Sequence, residues 1–439
     1  MTKFLLLLPV LLLTLSCGNS NDTVYTGPIK TIKIDVSSAE KFKDLSYMYD
    51  TSHYKIVALE TRNDALLGNK VTDIFYRNGR LYIAESQSNA LFMFDDNGKF
   101  IKKIHNVGEG PMDYRNIGTI RITDDRIYLI EQYGTKVLCY DMDLNYIGQT
   151  SLKKLREKNI FYPSSTFAIG DKMFYANVYC TSSDTDLCGD VPYKICSTDM
   201  DLSNVKYHLP IDKKSETAPA SPFFLREQEY TDINGKVHLM CSSYDTIYVA
   251  SRDTIVPEYV FDFGENQLPS SLAKTEDVRS MLRNPEYDKY VRISSMKETN
   301  RYMIFSFVMG GRSFDPRQLA KMPEDIRMDP IKSDLWLNEN QAFNGYNIFY
   351  DKIKEEATLV NGYKIEKFAK YRLSGISHYD GDYMISVEGV SPYSFDKENK
   401  YIVKTTENHP YPAYEKDKNE VLKTLTPNSN PVVYIYKLK

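Results

Sequence analysis

One short pattern occurs six times along the chain and limits the folds that it can adopt. Each copy is a turn residue, a basic or polar residue, and then alternating apolar and aromatic residues, as in residues 79–83, GRLYI. A recurring unit of this kind is the sequence signature of a repeat architecture, and unequal spacings indicate the same unit with insertions. The copies are separated by 46, 46, 64, 65 and 81 residues, counted between Arg80, Arg126, Lys172, Lys236, Arg301 and Asp382.

Each unit contains apolar runs in the same order. In the first unit these are residues 71–75, 79–83, 90–94 and 100–104, and the turn Asp95-Asp96-Asn97-Gly98 separates the last two. Asn-Gly between apolar runs is a hairpin signal. Four antiparallel strands in about 45 residues match one blade of a β-propeller. The sequence therefore predicts an all-β fold, a six-bladed β-propeller of four-stranded antiparallel blades.

The last blade requires a strand from elsewhere in the chain to close the ring. Residues 431–438 form an apolar run that fits the third strand of a blade, and no fourth run follows it. We predict that an N-terminal strand, residues 29–34, closes this blade, because a blade shared between the two ends removes an exposed sheet edge.

Two insertions interrupt the repeat. Residues 270–290 are polar with a helix-compatible pattern that starts on a serine N-cap, and residues 310–345 contain three prolines and the single tryptophan, Trp336. Long insertions on a repeat scaffold tend to lie on one face and to build its binding surface. The propeller is expected to span residues 28–439 with both insertions included.

The first residues have the features of a secretory signal peptide. Lys3 precedes an apolar run, residues 4–15, that is too short to span a bilayer as a stable helix. Ser16-Cys17-Gly18 follows and is similar to the cleavage site of a bacterial lipoprotein. We predict a signal peptide at residues 1–16, a lipidated Cys17 and a polar linker to residue 27. The alternative is an ordinary signal peptide followed by a chance cysteine.

Charge and cysteine content limit the partners. The net charge of −4, from 55 basic and 59 acidic residues, favours neither nucleic acid nor an anionic membrane surface. The lipid is therefore expected to be the only membrane contact of a monomeric domain. Export permits disulfides. The cysteines after Cys17 lack the C-x-x-C spacing of a metal or redox site, and their pairing stays open; they are Cys139, Cys180, Cys188, Cys196 and Cys241.

The glycine-rich stretch NVGEGPMDY, residues 106–114, has two interpretations. A phosphate-binding loop needs G-x-x-x-x-G-K-[ST], or G-x-G-x-x-G at the start of a helix. Here Pro111 follows the second glycine, and the apolar run of the next unit begins at Ile117. We interpret the stretch as a turn between two blades, in which Gly108 and Gly110 permit a positive φ and Pro111 stiffens the crossover.

Residues 45–85 and 92–114 resemble the six-bladed β-propeller lipoproteins common in Bacteroidota, a family similar to NHL-type propellers. The shared features are the motif LET at 59–61, the pair Leu67-Gly68, and G-x-G-P-G-E-Y, here residues 108–114. Met112 and Asp113 depart from the glycine and glutamate of that family. The resemblance implies a propeller in the bacterial cell envelope, anchored by lipid and most often in the outer membrane, and it leaves the activity undefined.

The sequence contains no recognisable catalytic constellation. The six histidines are scattered without H-x-H or H-E-x-x-H, although histidines on different blades could still converge on a zinc ion. Residues 95–98 lack the terminal glutamate of a calcium loop, and G-x-S-x-G is absent. With 59 acidic residues, a facing carboxylate pair cannot be chosen. We expect no cofactor and no metal site, and the sequence specifies no catalytic residue.

The central channel provides the remaining candidates. The first strand of each propeller blade lines the channel, so polar residues in these strands are candidate ligand contacts, unless they are solvated or paired within the channel. Arginine and tyrosine among them suit an anionic or carbohydrate ligand. The candidates are Asp73, Arg121, Tyr230, Arg292 and His378.

The sequence favours a binding or interaction module for a glycan, peptide or protein partner. The rival is a propeller enzyme of lyase or glycoside hydrolase type with its site in the central funnel. Two carboxylates about 5–10 Å apart, or three converging histidines, would favour the rival. A third interpretation is a scaffold subunit of an outer-membrane complex.

Overall fold

Three strands precede the first repeat of the sequence. They are β1 (Lys30–Lys33), β2 (Glu40–Asp44) and β3 (Tyr49–Ala58), with short 3-10 turns at Val36–Ser38 and Ser46–Met48. The computed structural model describes residues 28–68, 70–131, 136–152, 163–177, 193–210, 229–233, 236–240, 245–269, 287, 289–309, 320–327, 336, 345–364, 378–402 and 411–439.

Five blades each use four consecutive strands, with the first strand innermost and the fourth outermost. Blade 1 contains β4 (Val71–Arg77), β5 (Arg80–Glu85), β6 (Ala90–Asp95) and β7 (Phe100–Ile104). Blade 2 contains β8 (Ile117–Ile122), β9 (Arg126–Glu131), β10 (Lys136–Asp141) and β11 (Tyr146–Ser151). Blade 3 contains β12 (Pro163–Ile169), β13 (Lys172–Asn177), β14 (Tyr193–Asp199) and β15 (Lys206–Pro210).

The remaining blades carry the larger interruptions. Blade 4 contains β16 (Glu229–Ile233), β17 (Lys236–Met240), β18 (Thr246–Ala250) and β19 (Ile255–Asp262), followed by a 3-10 turn at Gly264–Asn266. Blade 5 contains β20 (Val291–Glu298), β21 (Tyr302–Met309), helix α1 (Glu324–Arg327), β22 (Gly345–Asp351) and β23 (Glu356–Lys364). Blade 6 contains β24 (His378–Asp380), β25 (Tyr383–Glu388), a 3-10 turn at Pro392–Ser394, helix α2 (Pro412–Leu422) and β26 (Val432–Leu438). Neither α1 nor α2, nor any other helix in the described ranges, is long and apolar enough to cross a membrane.

Strand β3 closes the sixth blade. It pairs antiparallel with β26, so that Val57 lies opposite Val433 and Tyr54 opposite Tyr436. The predicted six-bladed propeller with an N-terminal closing strand is therefore confirmed. The closing segment is Tyr49–Ala58 and not residues 29–34, which corrects that part of the prediction.

The strand at residues 30–33 has a different place. β1 pairs parallel with the outer strand β19 of blade 4, and β2 pairs parallel with the outer strand β23 of blade 5. Ile32 and Ile34 are buried against Phe261 and Phe305 between these two blades. Several outer edges accept a short strand with alternating apolar residues, so the pattern of residues 29–34 could not identify the right edge.

Aspartate side chains shape the hairpins between third and fourth strands. Asp95 accepts hydrogen bonds from the N–H groups of Asn97 and Lys99 at 2.9 and 2.8 Å, and Gly98 adopts a φ of +83°. Asp141 repeats this arrangement in the second blade. The hairpin predicted at residues 95–98 is thereby confirmed, and its acidic side chains are used in the turn.

The hydrophobic core lies between neighbouring blades. Tyr82 and Leu91 of blade 1 pack in one buried cluster with Ile120 and Leu129 of blade 2. Burying such a side chain contributes roughly 1.5–3 kcal/mol. The apolar side chains of each strand thus pack on both faces of the blade, against the blades on either side. The innermost strands border the channel.

Candidate functional site

The two ends of the ring carry connections of very different length. At one end, the short-turn face, two to six residues join the first strand of a blade to the second and the third to the fourth. At the other end, the long-connection face, second strands end, third strands begin, and the crossovers between blades start and finish; these connections range from four residues at 86–89 to 43 residues at 389–431. The insertions near 270–290 and 310–345 join strands that end at this face, although most of their residues lie outside the described ranges.

Charged and polar groups of the short-turn face hold adjacent blades together. Arg80 of blade 1 forms an ion pair with Asp143 of blade 2, at 2.5 Å, and the Tyr82 hydroxyl donates to the Met142 carbonyl at 2.8 Å. These partners belong to a turn of the next blade. Such contacts join neighbouring blades at the short-turn face.

Residues 106–114 form the crossover from β7 to β8, as predicted. The Gly110 N–H donates to Oδ2 of Asp113 at 2.9 Å, and a Cβ on Gly108 or Gly110 would lie 2.6 or 2.7 Å from that oxygen. Neither glycine has a positive φ, which corrects the prediction. The close approach of the Asp113 carboxylate is the reason that glycine is needed here.

The end of this crossover is anchored to both blades. Tyr114 is fully buried, and its hydroxyl donates to the carbonyl of Asn89 at 2.8 Å. The ammonium of Lys136 in blade 2 donates to the carbonyls of Gly110 and Asp113 at 2.9 and 2.6 Å. The stretch is a joint between blades, and its carbonyls are engaged by the protein.

The LET motif and the residues after it lie at the seam between the sixth and first blades. The Asn430 side chain, in a residue only 2% exposed, donates to the carbonyls of Glu60 and Ala65 at 2.7 and 2.6 Å and accepts from the Leu67 N–H at 2.9 Å. The Asn430 N–H donates to Oγ1 of Thr61 at 2.8 Å. The features that carried the family resemblance are therefore structural joints.

Asp73 and Arg121, two of the predicted ligand contacts, meet on the channel wall. The Asp73 carboxylate accepts from the Thr119 hydroxyl at 3.0 Å and from the Ile120 N–H at 3.1 Å. Nη1 of Arg121 lies 3.8 Å from its other oxygen. The inner edge of β8 faces the channel, so Asp73 supplies an acceptor that the Ile120 N–H needs. Asp73 thus joins blades 1 and 2 in addition to bordering the channel.

The same arrangement recurs between blades 6 and 1. The Asp380 carboxylate accepts from the Tyr76 N–H at 2.9 Å and pairs with Arg77 at 2.6 Å. Burial raises the pKa of Asp380 to about 6, against the influence of Arg77. In both places, a carboxylate of one blade therefore accepts a hydrogen bond from a backbone N–H on the innermost strand of the neighbouring blade.

Among the predicted contacts whose side chains the structure describes, His378 is the one most open to hydrogen bonding by a ligand. Within the described part of the chain it has no hydrogen-bond partner. Burial lowers the pKa of His378, which the Asp73 carboxylate opposes and Lys297 reinforces. The imidazole is therefore neutral near pH 7, with one nitrogen to donate and one to accept. Lys297, which the sequence prediction missed, lies with its ammonium 5.4 Å from the ring centre of Tyr379.

Tyr230 and Arg292 complete the predicted set. Tyr230 lies in β16 and Arg292 in β20, which are the innermost strands of blades 4 and 5. Their side chains are outside what the structure describes, so their part in the channel wall remains a prediction.

A buried charge cluster between blades 4 and 5 was not predicted. Nδ1 of His238 lies 2.7 Å from Glu298, and Nε2 lies 2.6 Å from Glu258. The Lys352 ammonium donates to the other Glu298 oxygen at 2.6 Å. Burial works against the charged imidazole, but Glu298 and Glu258 raise the pKa of His238 to about 9. Burial likewise works against the Glu298 charge, but His238 and Lys352 lower the pKa of Glu298 to about 2.

This cluster serves the ring and not a ligand. The His238 side chain is 6% exposed and that of Glu298 0%, so a molecule in the channel cannot reach them. Glu258 occupies the extra position of a β-bulge in β19, where Ile247 pairs with Tyr259 and the next residue pairs with Pro257. No spacing in the sequence indicates that bulge, which is why the cluster was missed.

The described ranges contain no evident metal-binding site and no exposed reactive thiol. These contain no group of three or more His, Cys, Asp or Glu side chains that could hold a metal ion. Cys139 and Cys196 are buried free thiols, and burial raises the pKa of both. Cys180, Cys188 and Cys241 lie outside the described residues, so the disulfide question stays open. The wall formed by Asp73, Arg121, Lys297 and His378 can bind polar groups through hydrogen bonds and charge.

Comparisons with known proteins support the propeller and define the family. The chain is similar to a crystal structure of an exported protein from Bacteroides fragilis, with 16% identity, a TM-score of 0.58, and coverage of 94% of this chain and 100% of that one. A member of the duf4221 family from Bacteroides vulgatus matches with 12% identity, a TM-score of 0.47, and coverage of 88% and 97%. No curated protein matches the chain. Residues 31–437 match the family described as Domain of unknown function (DUF4934), and the protein therefore belongs to this family.

Proposed function

We propose that the protein is a lipid-anchored binding module of the bacterial cell envelope that holds a glycan, peptide or protein partner at its long-connection face and channel mouth. Cys17 is the residue that carries the lipid, and the outer membrane is the membrane to which it attaches. The resemblance to propeller lipoproteins and the similarity of fold to an exported Bacteroides fragilis protein support this location.

The difference between the two faces carries the proposal. Connections of up to 43 residues begin and end at one end of the ring, whereas the other end has turns of two to six residues, some of whose charges join neighbouring blades, as Arg80 and Asp143 do. In repeat scaffolds, long connections on one face are where binding surfaces form. His378 adds to the adjoining channel wall an imidazole that has no hydrogen-bond partner among the described residues, beside the charges of Lys297 and Asp73.

A ligand screen on the mature domain tests the binding function. Glycans and peptides are screened by thermal shift, and hits are measured by calorimetry with wild type and His378→Gln. We expect His378→Gln to weaken binding about tenfold, the effect of losing one well-placed hydrogen bond. His53→Gln, which alters a 66% exposed side chain on the closing strand β3, is the matched control and should leave the affinity unchanged. Ligands insensitive to His378, or bound at the short-turn face, would contradict the proposal.

The lipid anchor and the enzyme rival have their own tests. Cys17→Ala should abolish incorporation of labelled lipid, and persistent labelling would refute the anchor. Chemical turnover of a bound glycan during the screen would favour the lyase or glycoside hydrolase alternative. Recovery of one stoichiometric partner from detergent-solubilised envelopes would favour a scaffold subunit.

A further inference from the structure

The N-terminal segment joins the propeller at the rim of the short-turn face. The ammonium of Lys30, the first residue of β1, bonds the carboxylate of Glu355. Glu355 lies in the turn 352–355 between β22 and β23, which belongs to the short-turn face of blade 5. A tether that ends at Lys30 therefore leaves from this rim and not from the long-connection face.

Apolar side chains are exposed around the same turn. Ile353 is 75% exposed, and its N–H donates to Asp351 at 3.0 Å, which fixes the tip of the turn. Ile29, 52% exposed, directly precedes Lys30, and Tyr47, 48% exposed, lies within electrostatic range of Asp351. Aliphatic side chains beside a tyrosine suit the membrane interface, where the aliphatic groups leave water and the phenol stays at headgroup level.

Arg301 and Lys352, two basic side chains of this rim, are paired within the protein, whereas Lys354 is exposed. Arg301 forms an ion pair with Asp351 at 2.7 Å, and Lys352 forms one with Glu298 at 2.6 Å. Their attraction for anionic headgroups is therefore largely neutralised at close range. Burial of the exposed apolar groups is left as the main driving force for contact with a bilayer.

The tether keeps the rim near the membrane without fixing its orientation. Twelve residues lie between Cys17 and Lys30. A chain of that length spans at most about 45 Å. A domain on such a tether can present several faces, so the exposed side chains decide which face rests on the membrane.

We propose that Ile29, Tyr47 and Ile353 form a membrane rim that rests on the bilayer to which Cys17 is anchored. This proposal rests on the lipid anchor of the proposed function and adds a second membrane contact to it. With the membrane rim on the bilayer, the long-connection face and channel mouth point away from the membrane toward a partner.

Fluorescence quenching on vesicles tests the orientation. The mature lipidated protein is reconstituted on phosphatidylcholine vesicles that contain a headgroup-labelled quencher lipid. A fluorescent amino acid replaces either Lys354, at the membrane rim, or Tyr393, in the 389–431 link of the long-connection face. Lys354 is exposed and Tyr393 is 95% exposed, so both positions are open to water in the protein itself.

We expect severalfold stronger quenching at position 354 than at position 393, with little dependence on salt. Ile353→Asp should reduce the bilayer-contacting population about tenfold, the scale of losing one buried isoleucine. Equal quenching at both positions, stronger quenching at position 393, or no effect of Ile353→Asp would overturn the membrane rim. Flotation separates the two proposals: loss of flotation refutes anchor and rim together, whereas flotation without a quenching difference refutes the rim alone.

Discussion

The charge cluster between blades 4 and 5 should make stability fall at alkaline pH. In the folded protein Glu298 and Glu258 raise the pKa of His238 to about 9, whereas an unfolded histidine titrates near ~6.5. A group whose pKa is higher in the folded state binds its proton more tightly there. Its contribution to the free energy of unfolding is therefore complete below about pH 6.5 and is lost as the pH rises through about 9.

The size of the effect follows from the difference between these pKa values. A difference of about 2.5 between the folded and unfolded pKa of His238, at about 1.4 kcal/mol for each pH unit, corresponds to roughly 3 kcal/mol of unfolding free energy. The His238 side chain is 6% exposed, so solvent screening reduces this little. Urea unfolding at a series of pH values should show wild type losing about 3 kcal/mol relative to His238→Gln between pH ~6 and ~9.

His208→Gln is the matched control. Burial lowers the pKa of His208. Its contribution therefore changes below the unfolded value of about 6.5 and not in the alkaline window. The comparison with variants also cancels the titration of tyrosines and cysteines, which all three proteins share. If the curves of wild type and His238→Gln run parallel across the alkaline window, His238 is not charged in the cluster and the reasoning is wrong.

Three further changes test the joints of the ring. Gly110→Ala should lower the free energy of unfolding by about 1–2 kcal/mol, because the added methyl group displaces the Asp113 carboxylate that accepts from the Gly110 N–H. Thermal unfolding measures this loss. Gly148→Ala is the neutral control, since a Cβ at Gly148 would meet nothing within 4 Å. Asn430→Ala should cost roughly 3 kcal/mol in urea unfolding, since it leaves three backbone groups at residues 60–67 without partners; a negligible cost would contradict this account of the seam. A chain beginning at residue 36 keeps β3 and should unfold cooperatively, whereas one beginning at residue 59 should not; equal melting temperatures would refute closure by β3.

The blades could be predicted because their determinants are local. Each second strand begins at or beside a turn residue and a polar residue, and the outer hairpins of blades 1 and 2 depend on an aspartate within a few positions, Asp95 and Asp141. Closure could not be assigned to a segment in the same way. The exposed half of β3 is polar, Asp50-Thr51-Ser52-His53, which hides its pattern, whereas residues 31–34, Thr-Ile-Lys-Ile, alternate clearly.

The channel contacts were predictable in part. Asp73, Arg121 and His378 are polar residues within otherwise apolar inner strands, which made them visible. Lys297 was missed because β20 carries a bulge between Ile293 and Ser295, and an extra residue reverses the alternation that sequence reasoning relies on. The directly bonded side chains of the His238 cluster lie 20, 54 and 60 positions apart, so the cluster has no local signal.

The three N-terminal strands also impose an order on folding. They are synthesised first, yet their partners β19, β23 and β26 lie at residues 255–262, 356–364 and 432–438. The seam contact between Thr61 and Asn430 spans 369 positions, and contacts of such separation form slowly. A chain that stops before β26 retains unpaired strands at both ends of an open ring. Only a chain that includes β26 can pair the strands at both ends of the ring. A shorter chain therefore leaves strand edges exposed to proteases and to aggregation.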